Sequence, residues 1–162
     1  MENIEIYTDG SCINNGQKKN YGGYCAIING SGYKDKVISG SQLNTTNNQM
    51  ELKAVIEPLK SFTKPYNIRV HSDSQLVVNG AMIWLDNWKK NGYKGSNKKT
   101  IANKNLWQEL DLLCQKHTIT FVHVKAHSGN TYNELCDKKA LEEAKNLQTT
   151  VLQLSEEQNR KV

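Results

Sequence analysis

The chain has 162 residues, of which 37% are hydrophobic and 23% charged, as expected for one globular domain with a hydrophobic core. No apolar run exceeds five residues, whereas a membrane-spanning helix needs roughly 20, and the first residues lack the apolar block of a secretory signal. The net charge of +5 favours an anionic partner.

The first predicted strand ends at a carboxylate. Ile4 and Ile6 are β-branched and lie two positions apart, which is typical of a strand, and Asp9-Gly10 is a turn signal that we expect to end it. Active sites of α/β sheets collect beyond the carboxyl ends of strands, so Asp9 is a candidate functional residue. Taken alone, Asp9 is better explained as a turn former.

The next two strands form a meander with the first. Residues 22–28 read as a strand, residues 29–32 as a hairpin turn, and residues 33–41 as a further strand at the edge of the sheet. Strands joined by such short connections are antiparallel neighbours.

A helix follows this meander. Residues 45–48 supply N-cap side chains, and the apolar residues between 52 and 62 recur at helical spacing. Pro58 is expected to kink this helix or to end its regular part. Glu51 falls in the predicted first turn, where interaction with the helix dipole is by itself the better explanation.

The fourth strand repeats the arrangement of the first. Ile68 and Val70 mark it, and Asp73 follows with a Ser on either side, much as Asp9 lies between Thr and Gly. A strand that returns after a helix runs parallel to a strand already present. If its neighbour is the first strand, Asp9 and Asp73 lie at the same edge of the sheet and form a carboxylate cluster with Glu51.

A basic, aromatic segment comes next, after a short helix predicted at 75–82. Between Trp84 and Trp107 there are six lysines and one acid, a local charge of +5, while the rest of the chain has 15 basic and 15 acidic residues. The segment also contains all three tryptophans of the chain. Lysines interleaved with aromatic rings favour contact with a nucleic acid over a simple solvated face.

The last elements bring in a fourth carboxylate. We predict a helix around 106–114, a strand at 119–124, a loop with His127, and a helix from about 132 to 147 that carries Asp137. Asp is a mediocre helix former, so a special role for Asp137 and a plain surface position are equally open. Residues 148–162 are polar, and we expect a frayed or loosely docked tail.

The four carboxylates suggest a metal centre. Asp9, Glu51, Asp73 and Asp137 would repel one another unless a cation neutralised them, and oxygen ligands suit Mg²⁺ or Mn²⁺. Two such ions about 3.5–4 Å apart could clamp the attacking and leaving oxygens of a phosphoryl displacement. His127 could transfer protons, unless it is a loop histidine without a role.

Five motifs resemble a known family. They are Thr8-Asp9-Gly10-Ser11, Asn47-Asn48-Gln49-Met50-Glu51-Leu52, Ser72-Asp73-Ser74, Lys125-Ala126-His127-Ser128-Gly129 and Asn133-Glu134-Leu135-Cys136-Asp137. In this order, over residues 3 to 145, they resemble bacterial-type ribonuclease H, type 1. The resemblance implies an α/β, ribonuclease H-like fold: a five-stranded mixed sheet, three strands antiparallel and then two parallel, flanked by helices and with a basic helical protrusion. It implies a catalytic domain at 1–147, with a basic handle at about 84–107 and a tail at 148–162.

The resemblance also implies an activity. It is Mg²⁺-dependent cleavage of the RNA strand of an RNA–DNA hybrid, leaving 5′-phosphate and 3′-hydroxyl ends, with Asp9, Glu51, Asp73 and Asp137 as metal ligands. His127 is expected to assist proton transfer or product release. Expected hybrid contacts are Cys12, Asn15, Asn47, Asn48 and Gln75 in the RNA minor groove, Thr46 and Asn103 at a DNA phosphate, and Trp84, Trp88, Lys89, Lys90, Tyr93, Lys94, Lys98 and Lys99 on the handle.

Some positions depart from the family pattern. Gln49 and Asn44 stand where basic residues are usual, so weaker phosphate binding is expected, and Tyr93 stands where the handle often has Trp.

Two other functions remain open: a non-catalytic hybrid-binding module, and a related two-metal enzyme that acts on DNA. The four cysteines form no Cys-x-x-Cys pair, which argues against zinc and favours reduced thiols in a cytoplasmic protein. We expect a monomer with no membrane contact and no obligate protein partner.

Overall fold

Five strands and five α-helices form within residues 1–126 and 129–161, the part of the chain that the computed structural model describes. The strands are β1 Asn3–Ile13, β2 Tyr21–Gly30, β3 Tyr33–Leu43, β4 Asn67–Ser72 and β5 Thr118–His123. The helices are α1 Asn47–Lys60, α2 Gln75–Asn79, α3 Leu85–Lys90, α4 Lys104–Lys116 and α5 Thr131–Arg160, and a π-helical turn, Gly80–Trp84, joins α2 to α3. None of these described helices combines the length and the apolar character needed to cross a bilayer.

The strands form one mixed sheet in the order β3-β2-β1-β4-β5. The pairs β1–β2 and β2–β3 are antiparallel, whereas β1–β4 and β4–β5 are parallel. This confirms the predicted meander, the edge position of β3 and the parallel return of β4 beside β1. The crossover through α1 therefore brings the ends of β1 and β4 to the same edge of the sheet.

Helices cover both faces of the sheet. Side chains alternate along a strand, so Ile6 and Ile28 join the larger core, which also contains buried residues of α1 and α4. Tyr7 and Ile27 point the other way and pack with residues of α5. The close approach of α5 requires Gly23, because a Cβ there would lie 2.0 Å from Ala140 O.

The predicted turn at Asp9-Gly10 is wrong, because β1 continues to Ile13 and Asp9 pairs with Cys25 of β2. The parallel pairing with β4 does stop just before, at Thr8 and Ser72. Gly10 serves close packing: a Cβ there would lie 2.4 Å from Glu51 N. Asp9-Gly10 thus lies where the parallel pairing of β1 with β4 has ended, and Gly10 allows the close approach of α1.

Helix α1 begins at Asn47, within the predicted capping segment 45–48. Thr46 is its N-cap, with Oγ1 accepting from Gln49 N at 3.1 Å, so Glu51 lies in the second turn and the predicted first-turn position is wrong. The helix ends at Lys60, two residues after Pro58, as predicted. Ser61 closes it by donating its N–H to Pro58 O at 3.1 Å.

Helix α5 is longer than predicted. It continues to Arg160, so the expected fraying is wrong, whereas the alternative of a loosely docked tail agrees with the exposure of most described residues after Ala144. Residues 131–160 contain neither Gly nor Pro, and nothing in the local sequence stops the helix. Within the described chain its last buried residue is Ala144, so the final turns are helical without being packed on the sheet.

Candidate active site

Three carboxylates converge at one edge of the sheet. Asp9 comes from β1, Glu51 from α1, and Asp73 directly follows β4, and one oxygen from each lies within 4.8 Å of the others. The sequence-predicted convergence of these residues is therefore observed. A group of hard oxygen donors this close together is suited to a divalent cation.

The backbone explains the convergence. Thr8 and Ser72 are partners in the β1–β4 register, so the residues that follow them, Asp9 and Asp73, emerge side by side. Ser72 Oγ accepts from Ser74 N at 3.1 Å and holds the chain as it leaves β4. Asp9 Oδ1 accepts from Gly10 N at 2.9 Å, and Gly10 lets the backbone of α1 carry Glu51 against β1.

Burial and mutual repulsion disfavour the ionised forms of the carboxylates. Asp9 is only 5% exposed, and burial, followed by the charges of Asp73 and Asp137, raises its pKa from the usual 3.8 to about 8. Burial, followed by the charges of Asp9 and Asp73, raises the pKa of Glu51 well above its ordinary value. Glu51 Oε2 is buried without a hydrogen-bond partner among the described residues. A cation would satisfy that oxygen and allow the group to ionise.

Asp137 lies beside this cluster. It lines the same pocket as Asp9 and Asp73, and its charge contributes to the raised pKa of Asp9. It is not among the three residues whose oxygens all lie within 4.8 Å of one another in the described chain. Cys136 Sγ donates to Tyr7 O at 3.1 Å, which ties this turn of α5 to β1.

Further residues line the pocket that sequence reasoning did not single out. They are Thr8, Lys125, Ala126, Asn130, Asn133 and Glu134. Asn133 donates its Nδ2 to His71 O at 3.3 Å, while its Oδ1 is buried without a partner in the described chain. The sequence could have indicated them, because several of these residues lie within the two C-terminal motifs or directly beside them.

His127 lies outside the described residues, and its proposed role stays a prediction. Two other histidines make contacts within the protein: His71 stacks on Tyr7 with ring centroids 4.5 Å apart, and His117 Nδ1 accepts from Tyr66 N at 3.1 Å. His123 Nε2 lies 3.2 Å from Asp73 O, next to the carboxylate cluster.

The predicted minor-groove residues lie at the surface of the protein. Asn15, Asn47, Asn48 and Gln75 are exposed, and Cys12 is half-buried. Asn15 Oδ1 accepts from Asn47 N at 3.0 Å, which docks the β1–β2 loop on the start of α1. In the chain, Asn48 precedes Glu51 by one helical turn and Gln75 follows Asp73 closely. Their function stays a prediction, although their surface positions suit ligand contact.

The predicted phosphate contacts flank a groove between α1, β3 and the start of α4. Asn103 lines this groove together with Lys53 and Lys104, and Thr46 caps the α1 end nearby. The described lining contains two lysines and no carboxylate. Such a groove favours an anion.

The basic handle, residues 84–107, presents aromatic rings beside lysines. Trp84 and Trp88 have ring centroids 5.9 Å apart and line a shallow pocket with Lys94. The handle lysines, defined as Lys90, Lys94, Lys98 and Lys99, are exposed.

Two residues predicted to contact substrate on the handle have other partners. Lys89 Nζ lies 3.1 Å from Asp111 Oδ1, so its charge is partly matched within the protein. Tyr93 is 8% exposed and belongs to the hydrophobic core, so its ring packs against protein. These contacts within the protein make Lys89 and Tyr93 less suited to ligand contact than the exposed handle lysines.

Comparison with known proteins matches almost the whole chain. A profile of the RNase H family matches residues 1–145. A ribonuclease H of Clostridium botulinum is 46% identical over 143 residues, 88% of this chain and 95% of that protein. A ribonuclease H of Acetivibrio thermocellus is 46% identical over 146 residues, 90% of this chain and 97% of that protein. The crystal structure of LC9-RNase H1, a type 1 RNase H with the type 2 active-site motif, matches with a TM-score of 0.78 and 27% identity, over 90% of this chain and 74% of that one.

Proposed function

The chain belongs to the ribonuclease H family of enzymes, and on that premise we propose that it hydrolyses the RNA strand of RNA–DNA hybrids by a two-metal-ion mechanism. The products carry 5′-phosphate and 3′-hydroxyl ends. One observation carries the proposal: Asp9, Glu51 and Asp73 bring their oxygens within 4.8 Å of one another in a chain that matches the family over residues 1–145.

The donor set fits a divalent cation. The three converging carboxylates and the unpartnered buried Glu51 Oε2 are hard oxygen ligands, and Mg²⁺, with Mn²⁺ as a substitute, is the natural choice. Asp137, in the same pocket, is proposed as the fourth ligand. When bound, such ions activate the attacking water and neutralise charge on the leaving oxygen.

The remaining residues bind and orient the hybrid. We assign Cys12, Asn15, Asn47, Asn48 and Gln75 to the RNA minor groove, where a 2′-hydroxyl distinguishes RNA from DNA. Thr46 and Asn103 contact a phosphate of the DNA strand, while Trp84, Trp88 and the handle lysines hold the backbone further along. His127 assists proton transfer or product release.

A metal-dependent cleavage assay tests this function. Labelled RNA, DNA duplex and RNA–DNA hybrid are compared with and without Mg²⁺, and only the RNA strand of the hybrid should be cut. Glu51→Gln should abolish cutting while hybrid binding survives, because a metal ligand is lost but the handle is intact. Glu57→Gln is the matched control, since Glu57 lies on the same helix but pairs with Lys60 at 3.6 Å at the surface.

The same assay separates the other two functions. Hybrid binding without cutting at any Mg²⁺ concentration would indicate a binding module. Equal cutting of DNA duplex would indicate a two-metal DNA nuclease. Either result contradicts the proposal.

A further inference from the structure

Gln49 makes a side-chain bridge that its position in α1 does not require. Thr46 and Gln49 match the capping-box spacing, in which the third residue reaches back to the N-cap N–H. Instead, Gln49 Oε1 accepts from Thr45 Oγ1 at 2.6 Å, and Gln49 Nε2 donates to Asn103 Oδ1 at 3.1 Å. The side chain thus joins the start of α1 to the start of α4, 54 residues further on.

Asn103 is an N-cap residue with an atypical arrangement. It is the N-cap of α4, a position where Asn normally caps its own helix, yet within the described chain its side chain makes no capping bond. Its backbone is left-handed, with φ of 61°. Because its Oδ1 accepts from Gln49, its Nδ2 amino group is the end that remains to serve a ligand in the groove.

The bridge is anchored in the protein interior. Thr45 is 5% exposed, and its N–H donates at 2.7 Å to Oδ1 of Asn20, which is 6% exposed. Asn20 Oδ1 also accepts from Cys12 Sγ at 3.4 Å. Hydrogen bonds therefore link Cys12 through Asn20, Thr45 and Gln49 to Asn103, and they connect the Asn103 amide to buried residues of the protein.

Resting on the proposed function, we propose that Gln49 is a positioning residue that sets the Asn103 amide with its Nδ2 toward a phosphate of the DNA strand. The positive charge of the groove comes from Lys53, one turn after Gln49 on α1, and from Lys104, next to Asn103. An oriented neutral donor flanked by these lysines replaces a direct cation at position 49.

The test uses an isosteric change. Gln49→Glu keeps an acceptor for the Thr45 hydroxyl but removes the donor to Asn103 Oδ1, so Asn103 must turn its Nδ2 toward the new carboxylate and away from the groove. Metal-free affinity for a labelled hybrid should fall about tenfold, the size expected for one lost phosphate hydrogen bond. The turnover rate at saturating hybrid should stay unchanged, because the carboxylate cluster is untouched.

Gln42→Glu is the matched control, since Gln42 lines the same groove and acquires the same charge without being part of the bridge. It should weaken binding less than about threefold, as a partly exposed charge outside the bridge does. Equal losses in the two variants would show a charge effect alone and overturn the proposal.

A cycle with Asn103→Ala gives the deciding measurement. In that background, Gln49→Glu should cost no more than Gln42→Glu, because the amide that Gln49 orients is gone. Hybrids with single neutral methylphosphonate linkages in the DNA strand should show one position that weakens wild-type binding but not binding by Gln49→Glu. Additive losses, or no such position, contradict the positioning role. Cleavage by the wild-type protein is scored separately, so failure of the proposed function is distinguishable from failure of this inference.

Discussion

The metal-free protein should lose stability as the pH rises, because Asp9 resists ionisation in the folded state. Its pKa is raised from 3.8 to about 8, first by burial and then by Asp73. Below pH 3.8 both the folded and the unfolded chain hold the proton. Between pH 3.8 and about 8 only the folded chain holds it, so unfolding releases a proton and the free energy of unfolding falls as pH rises.

The magnitude is large for a domain of this size. If Asp9 alone carried the whole pKa difference, the stability lost above pH 8 would be about 6 kcal/mol. This is an upper bound, because the neighbouring Glu51 also has a raised pKa and the two groups titrate together. Total domain stability is about 5–15 kcal/mol, so even a third of this effect is measurable.

Urea unfolding in EDTA between pH 5 and pH 9 measures the effect. The stability of wild type relative to Asp9→Asn should fall steadily over this range, and Asp9→Asn should be the more stable protein at pH 9, because Asn can still accept from Gly10 N without the charge. The comparison removes the opposite effect of His71 and His117, whose pKa values are lowered by burial in both proteins. Asp86→Asn, an exposed acid on α3, serves as the control and should follow wild type. Added Mg²⁺ should restore wild-type stability at pH 9 and stabilise Asp9→Asn much less. A wild-type profile parallel to that of Asp9→Asn, or an Asp9→Asn protein weaker than wild type at pH 9, would refute the reasoning.

Three further predictions concern packing, charge and the end of α5. Gly10→Ala should lower the free energy of unfolding by about 1–3 kcal/mol and slow cleavage, because the added Cβ meets the α1 backbone at 2.4 Å; wild-type values in urea unfolding and cleavage would contradict this. Replacing the handle lysines with Gln should reduce the salt dependence of hybrid affinity by roughly one slope unit per lost phosphate contact, whereas Lys89→Gln should change it least because Asp111 already pairs with Lys89; an unchanged slope would assign the lysines another task. Removal of residues 148–162 should change the free energy of unfolding by less than about 0.5 kcal/mol, since the last buried residue of α5 among those described is Ala144; a larger loss would show that the final turns pack on the domain.

Local patterns predicted most of the elements. Alternating β-branched residues marked β1 and β4, Thr46 marked the start of α1, and the parallel return of β4 followed from the intervening helix. The sequence-based prediction was wrong where two segments distant in the chain pack against each other. Gly10 resembles a turn residue in isolation, and only the position of α1 shows that it is a point of close contact.

The prediction of fraying for residues 148–162 was wrong for a different reason. Residues 148–162 are polar and lack strong periodicity, which predicts a frayed or loosely docked tail. Helix propensity without a breaker is enough for α5 to continue to Arg160.

The sequence alone identified the candidate carboxylates, of which Asp9, Glu51 and Asp73 converge, together with the family and the concentration of charge in the handle, because these depend on residue type and order. The tertiary structure decided that oxygens from Asp9, Glu51 and Asp73 meet within 4.8 Å, that Lys89 is already paired and Tyr93 buried, and that Gln49 reaches Asn103. These facts depend on distances between segments far apart in the chain, and such distances are set by packing, which no local pattern encodes.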